Sequence, residues 1–162
     1  VTTRVQNIRR IDPNEWQHFD ENVYVGRYAY LRSGRFEGSE WRNSGLGNPF
    51  RFLETDSNAD KRMRLVTYLR WLNLQLEAHG LLRNTFRQLR DKNLGCWCLD
   101  WDGKGPVPLC HAAYLARVVD LFAVSEVQAV CVSNFGEFLI RTGHDNSLPS
   151  GREWAFINRV QP

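Results

Sequence analysis

The chain has 162 residues, 43% of them hydrophobic, and its 21 Lys and Arg against 18 Asp and Glu give a net charge of +3. That length suits one domain with its own core and is short for two, and six Trp, nine Phe and five Tyr supply enough burial to offset chain entropy without disulfide staples. No apolar run approaches the roughly 18 residues of a membrane-spanning helix, and the N-terminus lacks a signal-like apolar stretch, so the expectation is a cytoplasmic protein with reduced thiols and no membrane partner.

Thr2 to Ile8 and Val23-Tyr24-Val25 read as strands, the second ending at Gly26 after a polar lead-in containing Asp12-Pro13-Asn14. From Arg27 to about Asn58 there is neither helical nor strand period, and Gly34, Gly38, Gly45, Gly47 and Pro49 punctuate the segment. A structureless connection this long is above the usual loop length and reads as functional. Between Arg27 and Arg51, five arginines, Arg27, Arg32, Arg35, Arg42 and Arg51, face only Glu37 and Glu40, and Tyr28, Tyr30, Phe36, Trp41 and Phe50 interleave with them. Arginine for phosphate and flat rings for bases is the mixture of a nucleic-acid surface; the plainer alternative is a solvated loop with aromatic anchors.

Asp60 to His79 keeps Leu65, Leu69, Leu72 and Leu76 on one helical face, with Ser57 or Asn58 as N-cap and Gly80 as the stop. Leu81 to Arg90 reads as a short helix burying Leu82, Phe86 and Leu89, Asn93 to Cys98 as a strand, and Asp100 to Pro108 as a loop. A third helix starts near Cys110 and carries Tyr114, Leu115, Val118, Val119 and Phe122. Val127 to Val132 is continuously apolar and is expected as a central strand, with two short strands around Glu137 to Ile140 and Trp154 to Val160. The alternation predicts an α/β fold: a Rossmann-like three-layer sandwich with a mainly parallel sheet and a long functional loop after an early strand. Ligands in such sheets sit beyond the carboxyl ends of the strands, where the loops after Val25 and Cys98 and the segment Ser133-Asn134-Phe135 depart.

Cys96-Trp97-Cys98 and Cys110-His111 place three thiols and an imidazole within 16 residues. Cys96, Cys98, Cys110 and His111 match zinc in number and type, and on a strand Cys96 and Cys98 share a face opposite Trp97. The spacing works against a shared ion, since structural sites usually put two to four residues between paired ligands. The competing reading buries the thiols as small apolar side chains and leaves His111 alone to act. At a helix start His111 is expected to be neutral and able to bond a phosphate, a sugar hydroxyl or an attacking water. Gly45-Leu46-Gly47-Asn48-Pro49-Phe50 suits a base pocket in which Asn48 reads and Phe50 stacks; it equally suits a Gly-Asn-Pro turn. Glu40, Glu54, Asp100 and Asp102 are the acids available to orient water.

Val23-Tyr24-Val25-Gly26-Arg27, Gly47-Asn48-Pro49-Phe50, Tyr68 with Trp71-Leu72, and Leu89 to Leu94 running into Cys96-Trp97-Cys98 and Cys110-His111-Ala112 resemble a small bacterial and phage domain family of uncharacterised function. That family is marked by a YIGR…NPF…CWC…CH pattern. The resemblance covers about residues 23–120, leaving 121–162 as a C-terminal extension of a single α/β domain, and brings no established chemistry. Residues 23–50 are also similar in architecture to the first motif region of the Rossmann-like uracil and mismatch DNA glycosylases. Arg27-Tyr28 stands where those enzymes place a catalytic polar residue, so that likeness implies architecture and no catalytic assignment.

The leading expectation is a DNA glycosylase that hydrolyses the N-glycosidic bond of a flipped base, such as a modified base of invading phage DNA. Its DNA would be held by Arg27, Arg35, Arg42 and Arg51, its base would stack on Phe50 or Tyr28 and be read by Asn48, and Asp100 or His111 would activate water. No cofactor is required, and a structural zinc is the one candidate. The alternatives are a non-catalytic zinc-stabilised nucleic-acid-binding module and a nucleoside or nucleotide hydrolase.

Overall fold

The computed structural model describes residues 2–42 and 44–124, with side chains up to Asp120. The strands expected at 127–132, 137–140 and 154–160, together with Ser133-Asn134-Phe135 and the side chain of Phe122, lie outside the described residues.

Three short strands, β1 (Arg4–Asn7), β2 (Asn22–Tyr24) and β5 (Asn93–Cys96), form a parallel sheet in the order β1-β5-β2. The register pairs Val5 and Val23 with Leu94 on either side of β5. β5 is thus the central strand of the described sheet. Period-two alternation then sorts the side chains. Val5, Val23, Val25, Leu94 and Cys96 join the larger core, while Ile8, Tyr24 and Trp97 join a second cluster. Gly95 lies between them on the second face, where a Cβ would stand 2.6 Å from the Trp16 ring, so only glycine admits that indole against the strand.

The larger core is closed by α2 (Asn58–Ala78) and α4 (His111–Val124). Ser57 caps α2 through a reciprocal capping box with Asp60, and Leu65, Leu69, Leu72 and Leu76 are buried along its inner stripe. Gly80 opens α3 (Gly80–Arg87) and does not serve as a simple stop: His79 is extended and its N–H reaches back to Gln75. Phe86 and Leu89 are buried behind α3. Against the second face pack the four-residue helix α1 (Pro13–Trp16), capped by Asp12, and a two-stranded hairpin, β3 (Ala29–Tyr30) with β4 (Glu40–Trp41).

The architecture is therefore mixed α/β with a small parallel sheet, covered by helices on one face and by a short helix and a hairpin on the other. The segment expected to be structureless from Arg27 contains this hairpin, whose strands of two residues are too short to leave a period in the sequence. Both its arms hang from Trp41, which is fully buried against Trp16, Tyr24 and Trp97.

Candidate metal centre

β5 ends at Cys96, and the chain bends immediately, so Cys98 leaves the strand and swings beside Cys96. Cys110 is the residue before α4, its carbonyl accepting the Tyr114 N–H, and His111 opens the helix. These two junctions bring four ligand atoms, one each from Cys96, Cys98, Cys110 and His111, within 4.8 Å of one another. The spacing objection is corrected: adjacent residues reach one point here because one ends a loop and the other starts a helix.

Two of the ligand–ligand distances compare well with those around zinc. Tetrahedral zinc sets sulfurs about 3.8 Å apart and a sulfur and an imidazole nitrogen about 3.6 Å apart. Cys96 Sγ lies 3.4 Å from Cys110 Sγ and 3.9 Å from His111 Nδ1, so small shifts would admit the ion. All three described thiols are free. The other ring nitrogen of His111, Nε2, lies 2.9 Å from the Val25 carbonyl. A proton held there against the carbonyl leaves the Nδ1 lone pair facing the thiols, the arrangement by which ligating histidines are usually fixed. The edge of the buried Tyr68 ring braces the imidazole at 5.7 Å, and the Tyr68 hydroxyl donates to the Leu46 carbonyl at 2.6 Å.

Electrostatics follow the cluster. Burial works to lower the His111 pKa, but hydrogen bonding to Cys96 and Cys98 and the charge on Cys96 outweigh it and lift it to about 10. The shift runs opposite to the one expected at a helix start, because the neighbouring sulfurs outweigh burial. Hydrogen bonds from Cys110 and Cys98 lower the Cys96 pKa, while the same bond to Cys96, with burial, raises that of Cys110. The α4 N-terminus adds a favourable partial charge for thiolates.

Of the residues expected to form one rim, Arg27 follows Val25, the carbonyl partner of His111, and its pKa is lowered by burial and then by the like charge of Arg51. Gly47 lies so close to the Gly26 carbonyl that a Cβ would stand 2.8 Å from its oxygen. Asn48 is buried, its Oδ1 accepting the Phe50 N–H at 2.8 Å, and Phe50 packs against the main core. Asp100 accepts the Asn7 N–H through Oδ1 at 2.8 Å. On the hairpin, the Tyr28 hydroxyl donates to Glu40, which also lies 4.0 Å from Arg42. Arg35 stands over the Phe36 ring on the Trp97 face of β5, opposite the thiols.

Sequence reasoning passed over the Val25 carbonyl and Arg9-Arg10, and gave Tyr68 only as part of the family-like pattern. A tyrosine in the apolar stripe of a helix signals a polar tip that needs a partner. Arg9-Arg10 follow β1 directly, at the same carboxyl edge that drew attention to the loops after Val25 and Cys98.

The family model described as "Domain of unknown function (DUF4326)" matches residues 8–121. The chain belongs to that family. The match takes in Cys96, Cys98, Cys110 and His111 and starts before residue 23, where the resembling pattern begins, so β2 and its lead-in are part of the DUF4326 domain. No curated protein and no solved structure matches the chain.

Proposed function

We propose that this DUF4326 domain is a zinc-stabilised module that binds single-stranded nucleic acid. The observation that carries it is the convergence of Cys96, Cys98, Cys110 and His111, with His111 Nε2 tied to Val25. Four protein ligands close a tetrahedral site and leave no open position for substrate, which is the structural rather than the catalytic form of zinc. Zinc there would pin β5, the start of α4 and, through His111, the end of β2. The parallel order β1-β5-β2 supports a Rossmann-like reading of the sheet, and three free thiols suit the reducing cytoplasm.

The binding face is the hairpin. Tyr28 and Tyr30 are 55% and 52% exposed, and Arg27, Arg32, Arg35 and Arg42 are exposed around them. Exposed rings among arginines form a stacking platform along a charged track.

The glycosylase expectation draws less support from this geometry. Both ring nitrogens of His111 are engaged, Asn48 Oδ1 holds its own turn, and Asp100 Oδ1 holds Asn7. Fluorescence anisotropy with a labelled single strand of about 12 nucleotides tests the proposal. Binding should weaken with salt with a logarithmic slope near −3, as expected for about four phosphate contacts, and should fall on chelation. Salt-independent or absent binding by folded protein would overturn it. Abasic sites released from DNA carrying modified bases would establish the enzyme instead.

A further inference from the structure

A separate cleft of about 350 Å³ opens at the carboxyl ends of β1 and β5, on the sheet face away from the thiols. Arg9, Arg10 and Arg35 line it together with Phe36, Trp41 and Trp97, and none of its lining residues is acidic. We propose that this cleft seats a single nucleoside phosphate, with the base against the indole and phenyl rings and the phosphate among the three guanidinium groups.

Four observations support the assignment. The volume lies at the low end of small-molecule sites, about 300 to 1,000 Å³, and so suits one nucleotide rather than several. Arg9 Nε donates to the Trp97 carbonyl at 2.7 Å, which orients this guanidinium while leaving its remaining N–H groups for an anion. Arg35 is held over Phe36, its guanidinium carbon 5.3 Å from the ring centre. Phe36 and Trp97 in the lining are only partly buried, so their rings are open to a ligand in the cleft. Three arginines without a carboxylate attract an anion, and the aromatic lining favours an anion that carries a flat ring over inorganic phosphate.

The cleft shares Arg35 with the proposed strand-binding face, but it is expected to seat one nucleotide whether or not a strand binds the exposed tyrosines and whether or not zinc is present. The nucleotide could be free or could be the phosphorylated 5′ end of a strand. Isothermal titration of the full chain with AMP, adenosine and inorganic phosphate tests the seat. AMP should bind at least tenfold tighter than either of the others, and Arg10→Glu and Arg35→Glu should each weaken it roughly tenfold or more, as expected for a lost charge-assisted bond. Both side chains are exposed, so neither change threatens folding. Displacement of AMP by a 5′-phosphorylated oligonucleotide but not its 5′-hydroxyl twin would assign the ligand to a strand end. AMP binding without such displacement would assign it to the free nucleotide. AMP binding no tighter than phosphate, or unchanged by both arginine variants, would overturn the proposal.

Discussion

Tyr68→Phe removes one oxygen from the middle of the domain and keeps the ring. Tyr68 and Leu46 are both fully buried, and the tyrosine hydroxyl donates to the Leu46 carbonyl at 2.6 Å. Phenylalanine would fill the same space beside His111 but leave that buried carbonyl without the tyrosine donor. An unsatisfied buried acceptor costs about 1 to 3 kcal/mol. At about 2 to 4 °C per kcal/mol for a domain of this size, a loss of about 2 kcal/mol lowers Tm by roughly 4 to 8 °C. Because Leu46 sits between Ser44 and Asn48, the damage should concentrate in that loop. Thermal unfolding followed by circular dichroism gives the first number, and amide hydrogen exchange gives the location, with faster exchange around Leu46 to Phe50. The exposed Tyr30→Phe is the control and should change neither. A Tm within about a degree of the parent, with unchanged exchange in the loop, would refute the view that Tyr68 ties the Asn48 turn to α2.

Gly95→Ala should destabilise the domain by about 1 to 3 kcal/mol in denaturant titration, because the new methyl meets the Trp16 ring from the central strand. Asp56 has its pKa lowered chiefly by its bond from Arg64 Nε at 2.6 Å. A folded-state pKa below the unfolded value means this stabilisation is present above the ordinary aspartate range near pH 4 and disappears as pH falls through the lowered value. Denaturation midpoints of the parent and Arg64→Gln should therefore differ at pH 6 and converge toward pH 2. Zinc must displace protons from His111, lifted to about 10, and from Cys110, raised by Cys96 and burial, so uptake at pH 7 should release at least two protons, read by calorimetry in buffers of different ionisation enthalpy.

The helices were the most legible part of the fold, for a physical reason. α2 carries its core contacts as a regular leucine stripe with a capping box in front, so local preference and tertiary burial agree. β1, β2 and β5 were also readable, since apolar and β-branched residues end at polar or glycine punctuation. α1 and the β3–β4 hairpin were not, because four residues and two paired residues are too few for any period to register. Their placement depends on Trp16 and Trp41 packing at long range. The central position of β5 in the described sheet was hidden for a related reason: Gly95 and Cys96 look like weak strand residues until the close approach of Trp16 and the neighbouring Cys110 are seen.

At the candidate site, the sequence supplied the four ligand types and the face shared by Cys96 and Cys98. Their convergence needed the bend after Cys96 and the Val25 carbonyl, and neither leaves a mark in residue spacing. The arginine-rich segment shows the opposite case. Its composition suggested one rim; Arg27 and Arg51 lie close enough to repel each other, and Arg35 lines the cleft on the Trp97 side of β5.

Metal analysis of the purified chain under reducing conditions tests the central claim most directly. The four-ligand cluster predicts one zinc ion per chain, retained through gel filtration, lost in Cys96→Ser/Cys110→Ser, and accompanied by loss of fold on chelation. Folded, fully reduced protein that carries no zinc and takes none up when it is offered would contradict it.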